Sequence, residues 1–374
     1  MLFCTSMVRW GLQEVSMRRA FFFVVFLFVL AWPARAQIGK QPMVRAGSPE
    51  DRALREIDAA TDPATKLELL DKFLADYGQG EMALLAYERY VAHFVSVKDY
   101  DKVFAYSEKA LTIDPDNFSF AYTLVTAAAE KGDAAKTFDY GERVAGILER
   151  YRAAPPPEGT DAATWEERKN STLAGLADRI DYVHRLLLGL VNQAADLGTK
   201  LLLVDRYLKA FPASPYLNNA QVMMAALWIL QADSWSERGE QLDKAQEYAT
   251  KAIDLLNRAQ KPQQLTDEQW TQQKSLQLGL AYSALGQVHV NKNRNSQAIE
   301  AFRTASPLLK ADPANYGRNL YRLGFTLAKM KRIPEARTVL TEAVAVNSPY
   351  RALAQDTLNK IGGPVAKAPA KKRP

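Results

Sequence analysis

The sequence predicts an all-α protein, a solenoid of stacked antiparallel helix pairs with a capping helix at its C-terminal end. Three observations support this prediction. Apolar residues recur at intervals of three and four through most of the chain, as on one face of a helix. Proline and glycine fall mostly between these periodic runs. One stretch is also written twice, since TKLELLDKFLADY from Thr65 returns as TKLLLVDRYLKAF from Thr199.

Composition places the chain among globular proteins and argues against a nucleic-acid groove. Of its 374 residues, 48% are hydrophobic and 24% are charged, which is too apolar for a disordered protein. The formal net charge of +6 lies at the two ends, so the body between them is close to neutral. A nucleic-acid groove needs clustered lysine and arginine along one face. We therefore expect no specific nucleic-acid partner.

The N-terminal segment has the three parts of a secretory signal. Arg18 and Arg19 precede the apolar run Ala20–Trp32, and small residues at Ala34 and Ala36 precede a cleavage point before Gln37. We expect residues 1–36 to be a signal peptide, with Met17 as an alternative start. An uncleaved anchor is the other interpretation, although the run is short for a span of about 20 residues.

The single cysteine, Cys4, lies within that segment. A mature chain would therefore lack disulfides, thiolate metal sites and cysteine nucleophiles. We expect a periplasmic or secreted protein with no membrane span in the mature chain. Residues 37–48 are predicted to be a linker.

Two helix pairs near the C-terminus carry a repeat motif. The first pair contains Tyr282, Leu285, Gly286, His289, Ala298, Phe302 and Ala305, and 38 residues later the set returns as Leu320, Leu323, Gly324, Leu327, Ala336, Leu340 and Ala343. These residues resemble the tetratricopeptide repeat, although the family's tryptophan is absent. The resemblance implies a right-handed α-solenoid that binds other proteins. The small residue at Gly286 or Gly324 would let the second helix of each pair approach closely.

The helix pairs divide the chain as follows. The predicted pairs are 49–60 with 63–77, 80–95 with 98–113, 117–131 with 134–152, 168–195 with 198–211, 215–233 with 241–259, 266–292 with 295–310, and 314–331 with 334–347, followed by a cap at 350–361. This gives an N-terminal set over 49–152, a proline-rich interruption over 153–164 and a C-terminal set with its cap over 165–361. The doubled stretch is then the second helix of two pairs, which favours internal duplication over convergence.

Residues that would support catalysis are scarce. The three histidines lie on separate predicted helices, and no HExxH, CxxC or phosphate-loop motif occurs. We expect no enzyme, no catalytic or metal site and no cofactor.

The family resemblance implies a partner-binding groove lined by the first helix of each pair. The repeat register carries the groove positions onto Glu88, Ser283, Gln287, Arg318, Tyr321 and Phe325, with Arg322 adjacent. A cation beside two aromatic rings would bind an acidic or aromatic peptide segment. An ordinary solvated helix face is the alternative.

The C-terminal residues 362–374 are rich in proline, alanine and lysine, and we expect a disordered basic tail. The sequence is then compatible with two functions. The first is an exported, non-enzymatic scaffold or adaptor that binds a protein or peptide, of unknown identity, in its groove. The alternative is a module that binds an anionic polymer or surface of the cell envelope through the tail.

Overall fold

A computed structural model describes residues 38–362 of the chain. The predicted signal peptide, its cleavage point before Gln37 and residues 363–374 of the predicted tail lie outside these described residues. Within them the secondary structure is helical and contains no strand, which confirms the all-α fold class.

Sixteen α-helices and one short 3-10 turn, Gly80–Met82, make up the described part of the chain. In chain order the helices are α1 Pro49–Ala59, α2 Pro63–Tyr77, α3 Ala83–Ser96, α4 Tyr100–Ile113, α5 Phe118–Glu130, α6 Ala134–Ala153, α7 Ala162–Gly175, α8 Ala177–Gln193, α9 Leu197–Ala210, α10 Leu217–Arg238, α11 Leu242–Arg258, α12 Asp267–Asn291, α13 Asn295–Leu308, α14 Pro313–Lys329, α15 Ile333–Ala345 and α16 Arg351–Lys360.

Sequential helices pack against one another as pairs, and the pairs stack. The pairs are α1 with α2, α3 with α4, α5 with α6, α8 with α9, α10 with α11, α12 with α13, and α14 with α15. The last helix, α16, packs on both α14 and α15 and covers the end of the stack. One helix pair cannot bury its apolar face alone, so stacking creates the core. The predicted solenoid of stacked pairs with a capping helix is confirmed.

Most helices begin at a side chain that accepts a hydrogen bond from a backbone N–H of the first turn. This capping satisfies a donor that has no partner within the helix. The capping residues are Ser48, Asp62, Asp99, Asn117, Asp133, Asp161, Asp196, Thr266 and Asp312.

The close approach expected at the repeat glycines is present. A Cβ added at Gly286 would lie 2.5 Å from Cε1 of Phe302 on the partner helix. One added at Gly324 would lie 2.6 Å from Cγ of Leu340. Neither position has room for a larger side chain, so the glycines set the spacing within these two pairs.

The turn between the two helices of a pair has a recurring left-handed residue. Lys98, Gly132, Asn293 and Lys331 have φ values of 59°, 72°, 57° and 59°. Gly132 follows Lys98 by 34 residues, and Lys331 follows Asn293 by 38, the same intervals as the repeats. The turn geometry therefore repeats even where the sequence of the turn does not.

One predicted helix is two helices in the structure. The expected helix 168–195 breaks at Leu176, and α7 begins at Ala162, inside the expected interruption 153–164. Trp165 Nε1 and Lys169 Nζ each donate a 2.8 Å hydrogen bond to a carbonyl at the end of α6, those of Ala154 and Arg152. Because α8 packs on the side of α6, one straight helix could not make both sets of contacts.

The predicted linker 37–48 is packed against the solenoid over its described part. Ile38 is buried in the main core, and its carbonyl accepts a hydrogen bond from the N–H of Phe118. The N–H of Lys40 donates to Asp114 Oδ2 at 2.6 Å, and its ammonium pairs with Glu81 at 2.8 Å. The segment therefore runs along the loops of the first three pairs, because one buried isoleucine and three polar contacts hold it there.

The two copies of the doubled stretch have matching local structure. Asp62 caps α2 through Thr65, and Asp196 caps α9 through Thr199, each by bonds to both the N–H and the hydroxyl of the threonine. Ring pairs at equivalent positions follow, at centroid distances of 5.4 Å for Phe73–Tyr77 and 5.2 Å for Tyr207–Phe211. Both copies are second helices of a pair, as the sequence predicted.

Candidate functional site

The first helices of the C-terminal pairs form the inner face of the stack. Helix α10 packs on α12, and α12 packs on α14. Side chains of α14 nevertheless reach α10, two pairs earlier in the stack, across α12. The contact therefore brings the first helices of three successive pairs onto one surface. We call the surface that α10, α12 and α14 share the inner face.

Four charged side chains meet on the inner face. Arg318 Nη1 donates to Asp233 Oδ2 at 2.7 Å and lies 3.4 Å from Glu237 Oε1. Arg322 contacts the same two acids, at 3.3 Å from Nη1 to Asp233 Oδ1 and 2.8 Å from Nη2 to Glu237 Oε1. We call these four residues the charge cluster. It joins the first helices of two pairs that are not neighbours.

The charge cluster lies largely out of solvent, which fixes its electrostatics. Burial alone would raise the pKa of Asp233, but Arg322 and Arg318 outweigh it and hold that pKa below the usual aspartate value. Asp233 is therefore a carboxylate at neutral pH. Two buried guanidinium groups beside it would be costly to leave unpaired, so Asp233 is a structural requirement of α14.

An aromatic row lies beside the charge cluster on α14. The rings of Tyr321 and Phe325 have centroids 6.2 Å apart, and Tyr321 also lies 5.9 Å from Tyr350, just before α16. The Phe325 side chain is 46% exposed, so one large apolar ring faces solvent next to the buried charges. This combination can accept an apolar side chain of a partner at a polar edge.

Helix α12 forms the floor between α10 and α14. Gln287 is half-buried and donates a 3.1 Å hydrogen bond to Asn291, whose amide in turn donates to the carbonyl of Ser236 on α10. Ser283 is only 1% exposed, because the helices on either side close over it. The floor is therefore polar and fixed in position.

The structure brings most of the predicted groove residues together, but not all in the expected role. Gln287 on α12 is linked to α10 through Asn291, the Arg318 and Arg322 guanidinium groups on α14 reach α10, and the rings of Tyr321 and Phe325 lie beside them on α14. The expectation that Arg318 and Arg322 present free cations to a partner is wrong. Both are paired with acids of α10.

The remaining two predicted residues lie away from that surface. Ser283 is covered and cannot contact a partner. Glu88 is exposed on α3, which packs with α2 and α4 in the N-terminal half, so it is not part of the inner face defined above.

Two further residues of the site, Asp233 and Glu237, were missed by the sequence analysis. The sequence does contain a pattern that points to them. The two acids are four residues apart on one helix and the two arginines are four apart on another, so each pair lies on one helix face.

Tyr122 on α5 follows Glu88 by the repeat interval of 34 residues and, like Glu88, lies outside the inner face. Its ring lies 6.2 Å from that of Tyr182 on α8, edge to face, with the Arg179 guanidinium 5.6 Å from its centroid.

The other chemistry of the described residues is structural. His184 is buried and within 2.9 Å of the Tyr207 hydroxyl, which is itself 2.7 Å from the Ser214 hydroxyl, so the three side chains hold α8, α9 and the following turn together. Among residues 38–362 no group of three or more metal-ligating side chains is placed to hold an ion. In the same range, none of the helices combines the length and apolar character that crossing a membrane requires.

Comparison with known proteins gives no family. No protein-family model matches the chain, and no curated protein matches it.

Solved structures share a distant likeness. The apo form of the quorum sensor NprR from B. thuringiensis is 13% identical, with 83% of this chain and 82% of that chain covered and a TM-score of 0.33. NprR with its cognate peptide NprX is 14% identical, with 84% and 81% covered and a TM-score of 0.27. The APC/C hetero-tetramer Cut9–Hcn1 is 14% identical, with 82% of this chain but 54% of that chain covered and a TM-score of 0.31. Likenesses this distant carry no conclusion about this chain, whose fold is read from its own helices.

Proposed function

We propose that this protein is an exported, non-enzymatic scaffold that binds a protein or peptide partner on the inner face of its C-terminal pairs. The observation that carries the proposal is Phe325. Its ring is 46% exposed on a surface where neighbouring aromatic and charged side chains are held by internal contacts. A rigid surface that carries an exposed aromatic ring is typical of a binding hot spot.

The proposal of export rests on the sequence of residues 18–36. An arginine pair, a short apolar run and small residues before Gln37 are the features by which secretory signals are recognised. Sequencing the N-terminus of the protein recovered from its native host tests this part. A product that retains Phe21 and sediments with membranes would support the anchor interpretation instead.

A photo-crosslinking experiment tests the binding surface. A photoreactive phenylalanine analogue replaces Phe325 in the full chain expressed in the native host, and crosslinked products are identified by mass spectrometry. The matched control places the analogue at Leu202, which is 58% exposed on α9, a second helix. We expect a partner at position 325 that is absent at 202.

Binding of the identified partner is then measured with purified proteins. Phe325→Ala should weaken it by on the order of 1–2 kcal/mol, whereas Leu202→Ala should not. Removal of residues 362–374 should change the affinity by less than about threefold, because the charges of the tail act in water and are screened by salt. Loss of binding on removal of the tail, with Phe325→Ala neutral, would favour the envelope-polymer alternative.

A further inference from the structure

The two acids of the charge cluster are held very differently. The Asp233 side chain is 19% exposed and uses both carboxylate oxygens, one for each arginine. The Glu237 side chain is 48% exposed and makes its two contacts through Oε1 alone. One acid is thus anchored in the cluster, whereas the other reaches it from the edge.

The position of Glu237 in its helix weakens its hold further. It is the second-last residue of α10, which ends at Arg238 before the left-handed Gly239. The C-terminal end of a helix carries partial negative charge, so a carboxylate in the last turn is disfavoured. Glu237 stays in place because Arg322, only 8% exposed, needs a second anionic neighbour.

We propose that Glu237 occupies the place of a partner's carboxylate, and that the inner face binds an acidic segment with an aromatic side chain next to its acid. This inference rests on the proposed binding function and names the chemistry of the partner. A carboxylate from the partner takes over the contacts of Glu237 to Arg322 and Arg318, while Asp233 keeps both arginines in position. Glu237 then turns into solvent.

The aromatic row defines the second half of the partner's chemistry. Tyr321 lies between Arg318 and Arg322 in α14, and Phe325 is one turn beyond. A partner residue whose acid contacts Arg322 therefore places its neighbours against the exposed ring of Phe325. The floor contributes the amide of Gln287, which is neutral and does not oppose an acid.

The test uses defined peptides and two variants of the full chain. The probe is the fluorescein-labelled peptide Gly-Glu-Phe-Glu-Phe-Gly, followed by fluorescence anisotropy. Two comparison peptides are used. The glutamine peptide replaces glutamate by glutamine, and the alanine peptide replaces phenylalanine by alanine. Each is made with a free and with an amidated C-terminus, which distinguishes a side-chain carboxylate from a terminal one. The protein variants are Glu237→Ala and Glu237→Gln, since glutamine keeps the shape of the side chain.

We expect both variants to bind the acidic aromatic probe about fivefold more tightly than the wild-type chain. The reason is that the half-exposed Glu237 no longer competes with the carboxylate of the probe for the arginines. Glu240→Ala is the matched control. It removes an exposed acid that pairs with Arg238 outside the cluster, and it should leave the affinity unchanged. The glutamine peptide should gain no affinity on substitution of Glu237. The alanine peptide keeps its acids, so it should gain affinity but bind every chain more weakly than the probe does.

Two results would overturn the inference, and each has a different meaning for the proposed function. Equal or weaker binding by both Glu237 variants, with wild-type binding still sensitive to Phe325→Ala, leaves the surface intact but makes Glu237 purely structural. Absence of binding by every chain rejects an acidic aromatic partner. Crosslinking at position 325 then decides separately whether the surface binds a protein.

Discussion

Arg318 on α14 donates a 2.7 Å hydrogen bond to Asp233 on α10, 85 residues earlier and two helix pairs away. In a solenoid each pair normally contacts only its neighbours. This bond, with its companion from Arg322, therefore ties together three successive pairs. The C-terminal half should unfold as a larger cooperative unit than simple nearest-neighbour stacking would give.

Asp233→Asn should destabilise that unit by about 2–3 kcal/mol, because it removes the anchored acid from two buried guanidinium groups. Hydrogen exchange measured by mass spectrometry should show faster exchange in α10, α12 and α14 together. The control is Asp116→Asn, which breaks an exposed pair with Arg150 and should barely change exchange. Faster exchange confined to α10 would contradict the proposed coupling.

Gly324→Leu should destabilise the last pair by roughly 1–3 kcal/mol, since the added side chain overpacks the contact with Leu340. Thermal unfolding followed by circular dichroism measures the effect. Gly189→Leu is the matched control, because a Cβ at Gly189 in α8 meets no atom within 4 Å. Equal melting temperatures for the two variants would count against the tight packing of α14 on α15.

Two glycine-to-alanine changes should have opposite signs. Gly132→Ala places a side chain on a left-handed residue with φ of 72° and should cost about 1 kcal/mol. Gly189→Ala lies within a helix and has space, so it should stabilise by about 0.5–1 kcal/mol. Chemical denaturation of both variants under one condition tests the pair. The turn geometry would be in doubt if both changes stabilised the protein.

The helix pairs could be predicted from the sequence because helix periodicity, capping residues and turn residues are local. The repeat register also assigns Arg318, Tyr321 and Phe325 to a single helix, α14, at helical spacing. It could not show that the arginines are paired, since their partners lie 81 to 89 residues away and meet them only because the helix pairs stack.

The errors in the predicted boundaries have the same origin. The predicted helix 168–195 is interrupted at Leu176 because donors on α7 bond to the end of α6. Ile38 packs on the solenoid because the loops of three pairs lie close together. Neither contact leaves a periodic pattern in the sequence. The sequence does contain complementary four-residue spacings of acids and arginines, but these have meaning only once two helices are known to meet.

The stability of the central pairs should depend on pH through His184. Burial lowers the pKa of its imidazole from 6.5 to about 4; Asp181 on the same helix opposes this shift and Arg152 on α6 adds to it. In the unfolded chain His184 takes up a proton near pH 6.5, whereas in the folded chain it remains neutral until about pH 4. The unfolded state therefore binds more protons between these values.

The free energy of unfolding should accordingly be unaffected by His184 above pH 7 and fall as the pH drops from 6.5 towards 4, by up to about 3 kcal/mol. His184→Gln keeps a side chain that can hydrogen-bond the Tyr207 hydroxyl but cannot titrate, so it should remove most of this slope between pH 7 and pH 5. Urea denaturation at a series of pH values measures the slopes, and hydrogen exchange should place the loss of protection in α8 and α9. An unchanged slope in the variant would show that the imidazole becomes protonated without leaving its site. In that case the bonds among His184, Tyr207 and Ser214 would have to rearrange around the charged ring, because both ring nitrogens of a protonated imidazole are donors.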